Sequence, residues 1–322
     1  MSKRNSEQNQ TSQPDAATQF LLEQLHSTGN TGKQLWLADE NTLGDIAVIS
    51  SRAPDIKFIS NRFDVAAALT AKKIDCPFSD FDFSPIENNS LDCIYYRVSK
   101  EKPVVHHIIN QSYLKLKPGG KLYIAGLKNE GIKTYFNKVK TLFSGPASLV
   151  KNGTLYSGFS EKDVQIDDKL SQFEAHQLDT TNYAELRPVA EILPASGNGL
   201  KKTIQVYSKP GLFGWNKIDQ GSAFLIEQLD GILDTLSQAP RSMLDLGCGY
   251  GYLSLMTQHL ALERRCATDN NAAAVHTAAH NFVENEMTVE VTADDCGGSL
   301  TEQFDLILCN PPFHQGFSID GD

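Results

Sequence analysis

The residues Asn310-Pro311-Pro312-Phe313 offer the clearest chemistry in this 322-residue chain. They follow the apolar run 304–309, which is typical of a buried parallel strand. The Asn310 side-chain oxygen and the Pro311 carbonyl can each accept an N–H of a planar amine, and proline fixes φ so that the carbonyl faces outward. Phe313 can stack on an aromatic base. The motif therefore predicts a clamp for an exocyclic amine.

A second chemical motif, a glycine-rich loop, follows the predicted strand 242–246 and opens a helix. Its residues are Asp245, Gly247, Cys248, Gly249 and Gly251. Glycines let the backbone approach a ligand and adopt conformations that a Cβ disfavours. A dinucleotide loop needs glycine at the third position after Gly249, where Tyr252 stands. The spacing therefore disfavours NAD and favours a ligand without a pyrophosphate.

Two acidic positions follow the next two predicted strands. Asp269 lies 24 residues after Asp245, where a carboxylate can accept hydrogen bonds from both hydroxyls of a ribose. The alternative is an aspartate that caps the helix beginning near Asn271. Asp294 and Asp295 end the third strand. We expect Asp295 to accept a hydrogen bond from an adenine amino group and Asp294 to be solvated.

The elements that carry these motifs alternate between short apolar strands and helical patterns. This alternation predicts βαβ units and parallel sheets, repeated as two α/β units in tandem. In the first unit we expect strands at 34–38, 56–60, 91–96 and 121–125, and a helix at 103–116. In the second we expect strands at 242–246, 265–268, 288–292 and 304–309, and helices at 221–238, 251–262 and 271–285.

The composition and the charge distribution limit the classes of protein to which the chain can belong. The net charge of −10 disfavours a general nucleic-acid binder, but residues 97–151 hold eleven basic residues against two acidic ones. This stretch predicts an RNA anchor or, equally, solvated helix faces. We see no secretory signal, no apolar run long enough to span a bilayer and no CxxC pair. A cytoplasmic protein without a metal or a membrane partner is expected.

Residues 241–313 resemble the class I S-adenosylmethionine-dependent methyltransferases, because the glycine loop, two acidic strand ends and Asn-Pro-Pro-Phe occur in that family's order. The chain also resembles the tandem-domain bacterial ribosomal RNA guanine-N2 methyltransferases of the small-subunit type. That likeness rests on the Asn310–His314 motif, on Gly211-Leu212-Phe213 and on residues 218–222. It implies two Rossmann-like methyltransferase domains, of which the first has lost its cofactor site. The corresponding first-strand turn, residues 37–42, contains no glycine.

The resemblance implies S-adenosyl-L-methionine as cofactor and the N2 amine of a guanine in 16S ribosomal RNA, within a small-subunit particle, as substrate. We expect residues 1–14 to be a disordered tail. The resemblance implies that residues 15–199 form a degenerate methyltransferase-like domain that binds RNA, and that residues 200–322 form the cofactor-binding catalytic domain. Alternatives are a large-subunit guanine-N2 methyltransferase, an adenine-N6 methyltransferase and a protein-glutamine methyltransferase.

The position of the clamp close to residue 322 bears on this prediction. The family's domain normally continues past strand four with three more strands, so we expect the second domain to be truncated after strand four. A fragment of a longer protein is the favoured interpretation. The alternative is a catalytically inactive product that binds RNA.

Overall fold

The computed structural model describes residues 15–27, 32–52, 55–165, 169–179, 182–193 and 203–311. Its first unit alternates helices and strands before ending in an antiparallel pair. The elements are α1 (Ala16–Ser27), β1 (Gln34–Ala38), α2 (Ile46–Arg52), β2 (Lys57–Ser60), α3 (Phe63–Ala71), β3 (Leu91–Arg97), α4 (Lys102–Lys115), β4 (Leu116–Leu127), α5 (Ile132–Phe143), β5 (Ser144–Asn152), β6 (Leu155–Lys162) and α6 (Lys169–His176).

The first sheet has the order β2-β1-β3-β4-β6-β5, and β6 pairs antiparallel with β4 and β5. Both of its faces are covered, because successive residues of β1 enter different hydrophobic clusters. Leu35 and Leu37 lie in one cluster with residues of α4 and α5. Trp36 and Ala38 lie in the other with residues of α1 and α3. A strand that is buried on both faces is typically a continuous apolar run, as residues 35–38 are here.

The second unit contains a smaller, wholly parallel sheet. The elements of this unit are β7 (Arg187–Ile192), β8 (Ile204–Ser208), α7 (Gln220–Leu233), β9 (Ser242–Leu246), α8 (Tyr252–Met256), β10 (Arg264–Asp269), α9 (Ala272–Glu284), β11 (Glu290–Ala293) and β12 (Leu306–Cys309). The strand order is β11-β10-β9-β12, all parallel. The order reverses beside β9, and ligands of such sheets bind at the carboxyl ends of the strands at this switch point.

The prediction of tandem α/β units with parallel strands is confirmed, and β9 has the bounds predicted for it. The predicted helix 251–262 is shorter, because α8 ends at Met256. The apolar residues of α7 differ in burial: Leu229 is 3% exposed, whereas Phe224 is 63% and Ile232 49% exposed. Tertiary packing decides which apolar residues of this helix are covered.

The junction between the units is a two-stranded antiparallel sheet of β7 and β8. The predicted domain boundary at residues 199 and 200 lies between these two strands and stays a prediction. Helix α9 holds β8 through side-chain amides: Asn281 Oδ1 accepts from the Tyr207 N–H at 2.8 Å, and Asn285 Oδ1 accepts from the Gln205 N–H at 2.9 Å. Among the described residues, no helix is long and apolar enough to cross a membrane.

Candidate functional site

The glycine loop folds back onto the neighbouring strand through its own backbone. The N–H groups of Gly247 and Cys248 both donate to the Thr268 carbonyl, each at 2.9 Å. The φ angles of Gly247 and Gly249 are +71° and +55°, a region that disfavours residues with a Cβ. The loop therefore has a fixed path from the end of β9 into α8, and Cys248 places its thiol in the interior.

The glycines differ in what a side chain would meet. A Cβ on Gly247 or Gly249 would have no heavy atom within 4 Å, whereas a Cβ on Gly251 would lie 2.7 Å from the Phe282 ring. Gly251 thus permits the close packing of the loop against α9. Gly247 and Gly249 face open space, and the ligand-binding role of the loop stays a prediction.

Asp245 lies beneath the loop, fully buried. Its Oδ2 accepts hydrogen bonds from the N–H of Ser254 at 3.0 Å and from the Ser254 hydroxyl at 2.7 Å. Its Oδ1 has no hydrogen-bond partner in the described part of the chain. Burial raises the pKa of this carboxyl to about 6. The carboxylate therefore anchors the start of α8 through Ser254.

Asp269 at the end of β10 connects the loop to the following helix. Its Oδ2 accepts from the Gly249 N–H at 2.9 Å, and its Oδ1 accepts from the Asn271 N–H at 2.8 Å. The alternative helix-capping role belongs to Asn271, whose side chain accepts from the Ala273 N–H. Burial raises the pKa of Asp269, against the effect of the backbone N–H groups and of Arg62. The backbone fixes this carboxylate beside the glycine loop, where ribose binding was predicted.

The two acidic residues after β11 have different surroundings. Asp294 is 1% exposed and accepts from the N–H and the hydroxyl of Ser299. The expectation that Asp294 is solvated was therefore wrong, because this side chain closes the turn that follows the strand. Asp295 is exposed and remains the residue that can meet an adenine amino group.

Asn310 lies beside the glycine loop, because β12 pairs with β9 in a register that matches Cys309 with Leu246. Its side-chain nitrogen donates to Asp219 Oδ2 at 2.8 Å and to Ser222 Oγ at 2.7 Å. A carboxylate only accepts hydrogen bonds, so the NH₂ group must face it and the Oδ1 atom must face away. The arrangement leaves the Asn310 oxygen as an acceptor, which is the role predicted from the sequence.

Asp219 holds this arrangement as the N-cap of α7. Its Oδ2 also accepts from the Ser222 N–H at 2.9 Å. Burial alone would raise the pKa of Asp219, but the Ser222 N–H and the Asn310 amide keep it below its usual value. Pro311 is exposed. Pro312 and Phe313 lie outside the described residues.

Sequence reasoning did not find the roles of Asp219 and Ser222. They were noted only as part of the segment 218–222 that carries a resemblance. The pattern of an aspartate before a helix indicates a cap, but no local signal indicates a partner 91 residues away.

The first unit has a different structure at the corresponding end of its sheet. After β1 the chain enters a short 3-10 helix, Glu40–Asp45, which Asp39 caps. Arg97 is nearby, with ion pairs to Glu130 at 2.8 Å and Asp15 at 3.2 Å. Burial raises the pKa of Asp39 to about 6. Residues 37–42 contain no glycine, and the Arg97 guanidinium lies 3.9 Å from Asp39 at the start of this turn.

Nine of the eleven basic residues in 97–151 fall into two groups. Arg97, Lys117 and Lys121 pair with acidic residues, and Lys115 is buried. An exposed group lies on α5 and on the segments directly before and after it: Lys128, Lys133, Lys138, Lys140 and Lys151. Both predicted interpretations of the stretch remain open for this exposed group.

Comparison with known proteins agrees with the fold. Residues 203–322 match the family model described as Methyltransferase small domain. Over 94% of the chain, the fold superposes with a TM-score of 0.73 and 22% identity on 76% of a T. thermophilus 16S rRNA N2-guanine methyltransferase, solved in complex with AdoMet and guanosine. The superposition shows that the chain shares the two-unit fold of that protein, and the family match places the similarity to methyltransferases in the second unit.

The chain is also similar to proteins named Ribosomal RNA small subunit methyltransferase C. It is 24% identical to the Marinomonas sp. (strain MWYL1) protein over 72% of this chain and 62% of that protein. It is 37% identical to the Pasteurella multocida protein over 35% of this chain and 33% of that protein. With Pseudoalteromonas translucida, the match is 26% identical over 93% of this chain and 81% of the relative. The chain thus spans about three fifths of the Marinomonas protein.

Proposed function

We propose that this protein transfers a methyl group from S-adenosylmethionine to the exocyclic N2 amine of a guanine in small-subunit ribosomal RNA. The observation that carries the proposal is the fixed orientation of the Asn310 amide. Asp219 and Ser222 occupy its NH₂ group, so its oxygen is directed to accept an N–H next to the glycine loop.

The cofactor would be held by the residues around that loop. Gly247 and Gly249 admit its close approach, Asp269 accepts hydrogen bonds from ribose hydroxyls, and Asp295 accepts one from the adenine amino group. Asp245, Cys248 and Gly251 would stabilise the conformation of the loop from the side that faces the protein interior. When bound, S-adenosylmethionine supplies a methyl group that its sulfonium has already activated.

The chain's part in the reaction is to prepare the amine. The lone pair of an exocyclic amine is delocalised into the ring, which makes the nitrogen a weak nucleophile. If Asn310 Oδ1 accepts one N–H and the Pro311 carbonyl the other, the nitrogen is held close to tetrahedral geometry. By residue type alone, the two prolines would fix φ and hold this carbonyl outward, and Phe313 would stack on the base. The proton leaves after attack, so no general base is needed beforehand.

RNA binding would be shared between the two units. The exposed lysines of α5 and its flanking turns suit the phosphate backbone, which is bound mainly by charge. The first unit, whose corresponding turn contains no glycine, serves as the binding domain. The target guanine must be unpaired or flipped out to reach Asn310, at a cost of a few kcal/mol. A substrate of this kind places the reaction in the cytoplasm.

The proposal is tested by incubating the chain with labelled S-adenosylmethionine and four substrates: small subunits, large subunits, naked 16S RNA and a release-factor protein. Digestion and mass spectrometry then identify the methylated group. N2-methylguanine in the small-subunit RNA supports the proposal. Label in adenine N6, in large-subunit RNA or in protein glutamine identifies a different methyltransferase.

A further inference from the structure

The first unit contacts the second at the loop that follows the ribose-binding carboxylate. The Phe63 N–H donates to the Asn270 carbonyl at 2.8 Å, and the Ala272 N–H donates to the Asn61 carbonyl at 2.9 Å. Between them, Arg62 and Asn271 form an antiparallel β-bridge. The Asp64 N–H donates to Asn270 Oδ1 at 3.0 Å. Three hydrogen bonds thus join segment 61–64 to segment 270–272.

Segment 61–64 is itself fixed to the first sheet. Ser60, at the end of β2, is fully buried. Its hydroxyl donates to the Ala38 carbonyl at 2.9 Å and accepts from the Arg62 N–H at 3.1 Å. The contact with the second unit therefore extends from the carboxyl ends of β1 and β2, and does not depend on an isolated loop.

The other side of the contact leads directly to Asp269. The Asn271 N–H, which lies in the bridge, donates to Asp269 Oδ1, and the Asn271 side chain caps α9. A shift of segment 270–272 would move this carboxylate and the start of α9 together. The position of Asp269 is consequently coupled to the docking of the first unit.

Arg62 also brings a positive charge to this region. Its side chain, 34% exposed, contacts Asp64 at 3.2 Å. Its charge interacts with both predicted cofactor carboxylates. Burial lowers the pKa of Arg62, but the hydrogen bond to Asp64 and the nearby negative charges, including that of Asp295, raise it above its usual value. Burial raises the pKa of Asp269, and the Arg62 charge partly offsets that rise.

We propose that segment 61–64 of the first unit is part of the cofactor site, with Arg62 as the positioning residue that keeps Asp269 and Asp295 ready to bind the nucleoside portion of the cofactor. This inference rests on the proposed function. It implies that the first unit, which the family resemblance assigns to RNA, also sets the affinity for the cofactor.

The test is isothermal titration of the whole chain with S-adenosylmethionine and with S-adenosylhomocysteine. For Arg62→Gln we expect both affinities to fall by the same factor, about 5-fold or more, as is typical of coupling between sites. The equal factor follows because the carboxylates contact the shared nucleoside, whereas the two ligands differ at sulfur. Arg62→Lys, which keeps the charge, should bind both ligands nearly as well as the wild type.

A pH series distinguishes an electrostatic role of Arg62 from a purely structural one, because only the electrostatic role changes the pH dependence of cofactor affinity. Asp269 interacts electrostatically with three ionisable groups: Arg62, Asp245 at the end of β9 and Cys248 in the loop. Removing the Arg62 charge raises the pKa of Asp269 further. In Arg62→Gln the acid-induced loss of affinity should therefore begin at a higher pH than in the wild type or in Arg62→Lys.

Arg241→Gln is the matched control, because Arg241 is 71% exposed, pairs with Glu263 and precedes the opposite end of β9. It should leave both affinities unchanged. Native affinity in Arg62→Gln, or equal losses in Arg62→Gln and Arg62→Lys, would overturn the inference while leaving the proposed function intact. A wild-type chain that binds neither ligand would contradict the proposed function itself, and the inference with it.

Discussion

Replacing Asp219 with serine should lower the catalytic rate without weakening cofactor binding. Serine is as good an N-cap as aspartate, so α7 keeps its cap, but the shorter side chain no longer reaches the Asn310 amide. That contact is a hydrogen bond of 2.8 Å to a carboxylate, and hydrogen bonds to charged groups contribute about 1.5–3 kcal/mol. If that energy orients the Asn310 oxygen in the transition state, kcat falls by about 10- to 150-fold.

The same geometry predicts a graded series. Ser222→Ala removes the second, neutral hydrogen bond of the Asn310 nitrogen, worth about 1 kcal/mol, so kcat should fall roughly 5-fold. Asp234→Ser makes the matched substitution at the other end of α7, where the side chain is exposed, and should change nothing. Steady-state methylation assays give kcat, and titration with S-adenosylhomocysteine gives cofactor affinity. An unchanged kcat in Asp219→Ser, or an equal loss of cofactor affinity, would refute the reasoning.

Three further predictions concern stability and RNA binding. Because burial raises the pKa of Asp245 to about 6, this carboxyl binds more protons in the folded than in the unfolded chain between about pH 4 and pH 6, and its contribution to stability falls as the pH rises through this range. Urea unfolding should show that Asp245→Asn removes this contribution, about 3 kcal/mol at one pKa unit per 1.36 kcal/mol, so that the remaining fall is that of Asp39, whose pKa is also raised to about 6. Gly251→Ala should destabilise the chain more than Gly249→Ala does, because only the former meets the Phe282 ring, whereas Gly249→Ala should mainly weaken cofactor binding. Charge reversal at Lys128, Lys133 and Lys138 on the exposed basic face should weaken RNA binding. It should also make the slope of log affinity against log salt concentration shallower, by about 0.9 for each lost phosphate contact.

Each of these predictions has an outcome that contradicts it. If Asp245→Asn retains the wild-type pH dependence, the buried carboxyl is not its source. Equal melting temperatures for Gly251→Ala and Gly249→Ala would contradict the packing argument. For RNA, a matched triple reversal at the exposed Lys57, Lys72 and Lys73 controls for net charge. The same salt slope in both triple variants would show that the face around α5 is only solvated.

Much of the fold was predictable because it depends on local patterns. The short, mostly apolar strand β9, the glycines after it and the asparagine after β12 are read directly from residue types and spacing. The parallel register then requires the ends of these strands to meet at one edge of the sheet. The proximity of Asp245, Asp269 and Asn310 follows from that register.

The contacts that refine the site were not predictable from local patterns. Asp219 and Asn310 are 91 residues apart, and Asp64 and Asn270 are 206 residues apart. Such pairs result from tertiary packing, and a single sequence carries no periodic signal for them. The burial of Asp294 has the same origin, because a turn closed by Ser299 hides a residue that its position after a strand would expose.

The most direct test of the central claim compares the wild type and Asn310→Ala on small ribosomal subunits with labelled S-adenosylmethionine. Mass spectrometry of the digested RNA should detect N2-methylguanine for the wild type and none for the variant, while both bind S-adenosylhomocysteine with similar affinity. Methylation of guanine N2 by Asn310→Ala at the wild-type rate would contradict the claim. So would a wild type that binds cofactor but methylates a group other than guanine N2.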